Sequence, residues 1–206
     1  MQRGDIDILV GTQMIAKGHD FPEVTLVGVL LADVSMSFPD FRSSERTFQM
    51  LTQISGRAGR GSLPGKVILQ TFSPENHAVC KASQHDFAGF MQEELSGREA
   101  MGYPPFGRML LLRISGMREE AVREASDEIA LELSQIAAGH GIRVLGPAPS
   151  PIARVKRRFN YQLLLISPPK FPFGEEFRRH LSLLREKVRK KGVRLEADVD
   201  PCQMMV

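Results

Sequence analysis

Two arginines three residues apart close the stretch Gln53-Ile54-Ser55-Gly56-Arg57-Ala58-Gly59-Arg60-Gly61. If the helix before them runs to its end, Arg57 and Arg60 share a face, and Gly56 and Gly59 leave room for another backbone or a ligand. A guanidinium offers permanent charge and bidentate donors. A pair on one face suits a polyphosphate and can stabilise charge that develops on a γ-phosphoryl group during hydrolysis. The same residues also read as a glycine-terminated helix with solvated arginines, and spacing alone leaves both readings open.

A second stretch, Gly11-Thr12-Gln13-Met14-Ile15-Ala16-Lys17-Gly18-His19-Asp20-Phe21-Pro22, follows directly on an apolar run. Thr12 is placed to cap a helix whose free N–H groups could hold a phosphate of a nucleotide or nucleic acid. Gly18, His19 and Asp20 then fall in the loop beyond. A purely structural cap explains Thr12 equally well, and His19 alone is a polar loop residue.

The third candidate is basic. Arg154, Lys156, Arg157 and Arg158, with Phe159 and Tyr161 following, predict a hairpin whose cations neutralise phosphates and whose rings stack on unpaired bases. The alternative is a solvated tip with the aromatics in the core. Arg185, Lys187, Arg189, Lys190, Lys191 and Arg194 lie at and beyond a helix C-terminus, where cations complement the helix dipole, so a capping and solubility role and DNA contact both stay open.

The elements that must position these residues follow two patterns. Apolar runs at Ile6–Val10, Val24–Leu31 and Val67–Phe72, separated by a helical stretch at Ser44–Ser55, predict a parallel sheet covered on both faces. A helix is expected over His77–Leu95, and Pro104 and Pro105 impose extended backbone at a junction. Beyond it, Met109–Ser115, a helix at Glu119–Ala138, Arg143–Leu145, Ile152–Lys156 paired with Tyr161–Ser167 across Arg157–Asn160, a helix at Glu175–Lys191 and Val193–Val199 give the order β-α-β-β-α-β. That order predicts an antiparallel sheet with two helices on one face. The expected divisions are 1–74, a connector over 75–107, and 108–206.

Composition sets the class. The 206 residues include 27 Lys and Arg against 24 Asp and Glu, and 42% are hydrophobic. No apolar run approaches the roughly 20 residues of a membrane span, and no signal-peptide pattern opens the chain. Cys80 and Cys202 lie far apart without a metal-ligand spacing, so neither a disulfide framework nor zinc is indicated and a reduced, cytoplasmic setting is expected. Residues 1–107 carry 9 Lys and Arg against 12 Asp and Glu, whereas residues 108–206 carry 18 against 12, which makes the second half the better candidate for a nucleic-acid surface.

Taken together, GTQMIAKGHDFP, Ala32-Asp33, Pro39-Asp40-Phe41-Arg42, Glu45-Arg46 and QISGRAGRG resemble motifs V and VI of superfamily 2 helicases. With the later GYPPFGR and the terminal Asp198-Val199-Asp200-Pro201, the chain is similar throughout to the PriA family of primosomal replication-restart helicases. The resemblance implies a partial RecA-like second helicase lobe followed by an α+β, ferredoxin-like or S10-like C-terminal domain. It implies an ATP-dependent DNA helicase moving 3′ to 5′, with forked and single-stranded DNA, single-stranded-DNA-binding protein and other primosome proteins as partners.

By the family pattern Gly18 and Asp20 lie beside the nucleotide, and Gly11, Thr12 and Gln13 face DNA. Gln53, Arg57 and Arg60 close over the ATP phosphates, with one or both arginines acting as fingers. ATP with magnesium is expected in the intact protein, and zinc in a cysteine-rich insertion upstream. A Walker-type cradle is missing from this sequence: Gly61-Ser62-Leu63-Pro64-Gly65-Lys66-Val67 has the wrong spacing and a Val where magnesium needs a hydroxyl. No Asp-Glu-x-His stretch occurs either, so the chain reads as a C-terminal piece that does not hydrolyse ATP alone. The other class of function is a non-catalytic module that binds nucleic acid or protein.

Overall fold

A computed structural model describes residues 6–12, 24–56, 58 and 64–204. The chain divides into two compact units, Met1–Leu95 and Ser96–Val206.

In the first unit, β1 (Leu26–Val29) and β2 (Lys66–Leu69) pair in parallel, Leu26 opposite Lys66 and Val29 opposite Leu69. Between them run the short α1 (Asp33–Met36) and α2 (Ser43–Ser55). Thr47, Phe48, Leu51 and Ile54 are the buried residues of α2, and their spacing makes one helical face. Beyond β2 come α3 (His77–Ser83) and α4 (Phe87–Met101). Ala78, Val79, Ala82 and Phe90 from these helices join Ala32, Phe48 and Leu51 in one core.

Two expectations for this unit need correction. Ile6–Val10 forms no strand, and Ile8 and Val10 are 80% and 84% exposed. An apolar run specifies a wish for burial, but a strand also needs a ladder partner, and among the described residues none lies beside it. The helix expected over His77–Leu95 is two helices. His85 has φ 54, which α-helix cannot continue, and Asp86 restarts it by accepting the Gly89 N–H at 2.8 Å.

The second unit has the expected order. Strands β3 (Arg108–Gly116), β4 (Arg143–Val155), β5 (Arg158–Ser167) and β6 (Val193–Val199) form an antiparallel sheet in the order β4-β5-β3-β6, with α5 (Glu119–Ala137) after β3 and α6 (Glu175–Arg189) after β5. The hydrophobic core joins Leu110, Leu112 and Ile114 of β3 to Ile129 and Leu133 of α5 and to Leu181, Leu184 and Val188 of α6. Met109 and Leu111, of the opposite parity, are also fully buried. From Arg113 onward that second face turns polar: Arg113 opposes Gln162 and Glu196, and Ser115 opposes Asn160 and Arg194.

The hairpin differs from its predicted form. Arg143–Leu145 and Ile152–Lys156 belong to one long strand, β4, bent by register shifts between Leu145 and Ala148 and between Pro149 and Arg154. Val155 pairs with Arg158, so the tip is Lys156-Arg157 alone. Both have positive φ, 47 and 67, the pattern of a two-residue type I′ turn. Such turns are usually signalled by Asn-Gly, and Lys-Arg carries no such mark, hence the misplaced tip.

The Asp198-Val199-Asp200-Pro201 segment is tied into this sheet. Asp200 accepts the Met109 N–H at 3.2 Å and both Arg108 Nε and Nη2, at 3.1 and 2.6 Å, while Asp198 lies 3.4 Å from Arg113 Nη1. Loss of surrounding water works to raise the Asp200 pKa, but the Arg108 and Met109 hydrogen bonds outweigh it and hold the carboxyl below its ordinary value. A depressed folded pKa contributes stability above the unfolded value of about 3.9 that is lost as pH falls through the folded value. Between about pH 5 and pH 2, the hydrogen-exchange protection factors of the β3 and β6 amides are therefore expected to fall more steeply for the wild type than for Asp200→Asn. Parallel curves would refute this role.

Candidate functional sites

In parallel α/β sheets, ligands bind beyond the carboxyl ends of the strands, and the first unit fastens those ends together. Ala32 N–H donates to Gln70 O at 3.1 Å, which joins the loops after β1 and β2. Asp33 then accepts three donors from the β2 loop: the Thr71 hydroxyl at 2.8 Å, the Phe72 N–H at 2.9 Å and the Ser73 N–H at 3.2 Å. Desolvation works to raise the Asp33 pKa, but these hydrogen bonds prevail and hold it below the usual value. The Ala32-Asp33 pair of the sequence is thus a clamp between two loops, a role its spacing alone did not disclose.

The Pro39-Asp40-Phe41-Arg42 and Glu45-Arg46 residues set the start of α2. Asp40 is 7% exposed and accepts the Arg42 N–H at 2.9 Å and Arg46 Nη1 at 3.0 Å. One carboxylate so fixes both the first turn of α2 and the chain entering it, as a helix N-terminus favours. The far end of α2 carries Gln53, exposed and on the face away from Phe48 and Leu51. Arg57 and Arg60 lie outside the described residues, as do Gln13, Gly18 and Asp20. Gly11 and Thr12 are described as exposed coil, and the helix that Thr12 is expected to cap falls beyond them.

In the second unit the four hairpin cations do not act alike. Lys156 and Arg157 are exposed at the tip. Arg154 lies over the Phe159 ring at 5.0 Å, and Phe159 and Tyr161 pack against the hydrophobic core. The aromatics are thus partly buried against the core, and one Phe159 face is covered by a guanidinium. Arg158 turns back onto the sheet, with Nη2 3.2 Å from Ser115 O and 3.4 Å from Ser115 Oγ.

The basic run at the end of α6 also divides. Lys187 pairs with Glu132, and Lys191 lies 2.5 Å from Glu128, both on α5. Arg185 and Arg189, four residues apart on another face of α6, line a groove of about 930 Å³ together with Arg113, Arg158 and Arg194. The dipole reading thus missed a split that the i, i+4 spacing of each pair could have signalled.

The fit to metal is poor. Cys80 Sγ contacts Pro74 O at 3.1 Å, Cys202 is exposed, and among the described residues no three His, Cys, Asp or Glu side chains gather as a metal site. Neither zinc nor magnesium is therefore assigned to these side chains. No helix among the described residues is long and apolar enough to cross a membrane.

Comparison with known proteins decides the family. Residues 99–202 match the Primosomal protein N C-terminal domain, and residues 1–62 match the Helicase conserved C-terminal domain. The chain belongs to the PriA family. It is 42% identical over 200 residues to the replication restart protein PriA of Synechocystis, covering 97% of this chain and 23% of that protein. It is also 42% identical over 204 residues to that of Bacillus subtilis, covering 98% and 25%, and 41% identical over 203 residues to that of Treponema pallidum, covering 98% and 30%. The chain thus spans about a quarter of the length of the first two PriA proteins. In fold class it agrees with the family, a mixed α/β helicase-type unit preceding an α+β C-terminal domain.

Proposed function

We propose that this chain is the C-terminal part of an ATP-dependent 3′ to 5′ DNA helicase of replication restart, acting in the cytoplasm to assemble the primosome at stalled forks. The observation that carries the reading is the succession of the two family matches, residues 1–62 and then 99–202, along a chain that is about two-fifths identical to PriA proteins nearly from end to end. The clamped strand ends and the Asp40-anchored α2 support it. The Asp40 contacts fix the start of α2, the helix that carries Gln53 and precedes Arg57 and Arg60 in the sequence, and arginine-based charge stabilisation depends on positioning.

In this reading Gly18 and Asp20 lie beside ATP, Gln53, Arg57 and Arg60 close over its phosphates, and Gly11, Thr12 and Gln13 face DNA. Water attacks the γ-phosphorus, ADP departs, and the guanidiniums neutralise charge on the transferred group and on the bridging oxygen. ATP with magnesium, and zinc in an upstream insertion, belong to the intact protein. Forked and single-stranded DNA, with single-stranded-DNA-binding protein and other primosome proteins, are the partners, and Arg154, Lys156, Arg157 and Arg158 contribute DNA contacts.

Phosphoryl transfer needs a phosphate cradle, a metal and a positioned water acting together. The 206-residue chain is therefore expected to show no DNA-stimulated ATP hydrolysis above background, measured by phosphate release with and without a fork. Turnover by the isolated chain would overturn the assignment of the cradle to other parts of the protein. Binding of a labelled fork, beside single-stranded DNA and RNA, across about 50 to 200 mM salt tests the DNA contacts. Salt-dependent preference for fork or single strand supports them. Absence of binding at low salt removes them from this chain.

A further inference from the structure

Some cations of the second unit are paired and others are not. Lys187 and Lys191 are neutralised across the α5–α6 contact, and Arg108 by Asp200. Lys156, Arg157, Arg158, Arg185 and Arg189 have no carboxylate partner among the described residues. The fold gathers these around one end of the sheet. The antiparallel register places the start of β5, the end of β3 and the start of β6 side by side, with Phe159 opposite Gly116 and Gly116 opposite Val193. Gly192, at φ 74, makes the turn that returns the chain from Arg189 to Arg194.

The groove at this end is lined by five arginines and no lysine. Its two carboxylates, Glu196 and Asp198, each hold one of them: Arg194 Nη2 is 2.5 Å from Glu196, and Arg113 Nη1 is 3.4 Å from Asp198. A guanidinium has five N–H donors, so a single carboxylate steadies it without exhausting it. Planar, forked donors in this number suit oxyanions along an extended chain.

A peptide strand adding to the free edge of β6 is disfavoured by the structure. Asp200 N–H donates to Met109 O, so by alternation the main-chain groups of Val193, Leu195, Ala197 and Val199 face the outer edge. Arg185 Nε already occupies the Leu195 carbonyl at 3.1 Å, in the middle of the ladder an added strand would need.

We propose that this arginine groove, continuous with the Lys156-Arg157 tip, is a binding track for the phosphate backbone of single-stranded DNA. The hairpin is its entrance rather than the whole site. The inference rests on the reading that this chain contacts DNA, and it assigns Arg185, Arg189 and Arg194 to that contact.

The test is fluorescence anisotropy of a labelled oligo-thymidine with the full chain across about 50 to 200 mM salt. Arg189→Gln with Arg194→Gln removes two groove cations, one unpartnered and one on an exposed strand face. It is expected to weaken binding by about tenfold or more at low salt and to reduce the salt slope by about 1.4, or 0.7 for each phosphate contact. Lys187→Gln with Lys191→Gln removes the same charge from the neighbouring side chains that pair with α5, and is expected to leave the slope nearly unchanged.

Equal losses from the two double variants would overturn the groove in favour of general charge. Loss from Lys156→Gln with Arg157→Gln, and none from the groove pair, would also overturn it while leaving DNA contact by the hairpin standing. Absence of binding by the wild-type chain removes the underlying reading and the groove together. Tighter binding of an aspartate-rich peptide that displaces the oligonucleotide would overturn the proposal by making the groove a peptide dock.

Discussion

Replacing Arg60 by alanine in the intact protein is expected to abolish ATP-driven unwinding and to lower DNA-stimulated ATP turnover by roughly 10³–10⁵-fold, with fork binding nearly unchanged. The size follows from what an arginine finger does. In a loose phosphoryl-transfer transition state, charge spreads over the oxygens of the transferred group, and the enzyme contributes chiefly position and electrostatic stabilisation. Removing one guanidinium deletes a stabilising charge made mainly in the transition state, so kcat falls while ATP affinity moves less. DNA affinity is spared because Arg60 is assigned to the phosphates of ATP rather than to those of DNA. Steady-state ATP hydrolysis, strand separation and fork anisotropy measured on the same preparation separate these effects. Undiminished DNA-stimulated turnover would sink the motor assignment of Arg60 and favour a non-catalytic binding module. Arg57→Ala, measured alongside, identifies which of the two arginines carries the larger share.

How much of this was legible in the sequence depends on whether the information is local. The order β-α-β-β-α-β could be read because α5 and α6 show one-sided apolar spacing, Val122 to Leu133 and Leu181 to Val188, and because β3 and β5 are long apolar runs. The break at His85 and the Lys156-Arg157 turn were not legible, since both depend on non-glycine residues held at positive φ by their surroundings. Ile6–Val10 shows the converse, an apolar run without a ladder. Among the sites, the Arg57–Arg60 spacing and the Thr12 cap are proposed from contiguous residues, and Arg57, Arg60 and the helix after Thr12 lie outside the described residues. The arginine groove could not. Arg113, Arg158, Arg185 and Arg194 come from β3, β5, α6 and β6, and only the register of the sheet brings them together. The Asp33 clamp was hidden for the same reason: its three donors lie about forty positions along the chain.

Truncating Phe90 is expected to have the largest effect on the stability of the first unit. Its ring is 1% exposed and stacks on Phe48 at 4.1 Å between centroids with 8° between planes. His77 lies parallel to it, at 5.5 Å and 6°. Phe90 thus joins α4 to both α2 and α3, in a core whose other buried members are mostly small: Ala32, Ala78, Ala82 and Val79 beside Phe48 and Leu51. Small residues cannot move far enough to refill the space, so Phe90→Ala loses both the transfer free energy of the ring and the contacts around the cavity, about 3–5 kcal/mol. Phe90→Leu keeps much of the volume but not the stacking, and is expected to cost about 1–2 kcal/mol. Two compact units make a single unfolding free energy ambiguous, so amide hydrogen exchange is the appropriate measurement. Phe90→Ala should accelerate exchange in α2 and α3 while β3 and β5 keep their protection. Unchanged protection in α2 and α3 would refute it. The consequence reaches function, because the helix that Phe90 holds through Phe48 is the one that carries Gln53 in its last turn and precedes the two arginines in the sequence. A loosened α2 is therefore expected to lower ATP turnover in the intact protein even where the protein remains folded, and Phe90→Leu should recover most of that loss if packing, rather than stacking, is what aligns the helix.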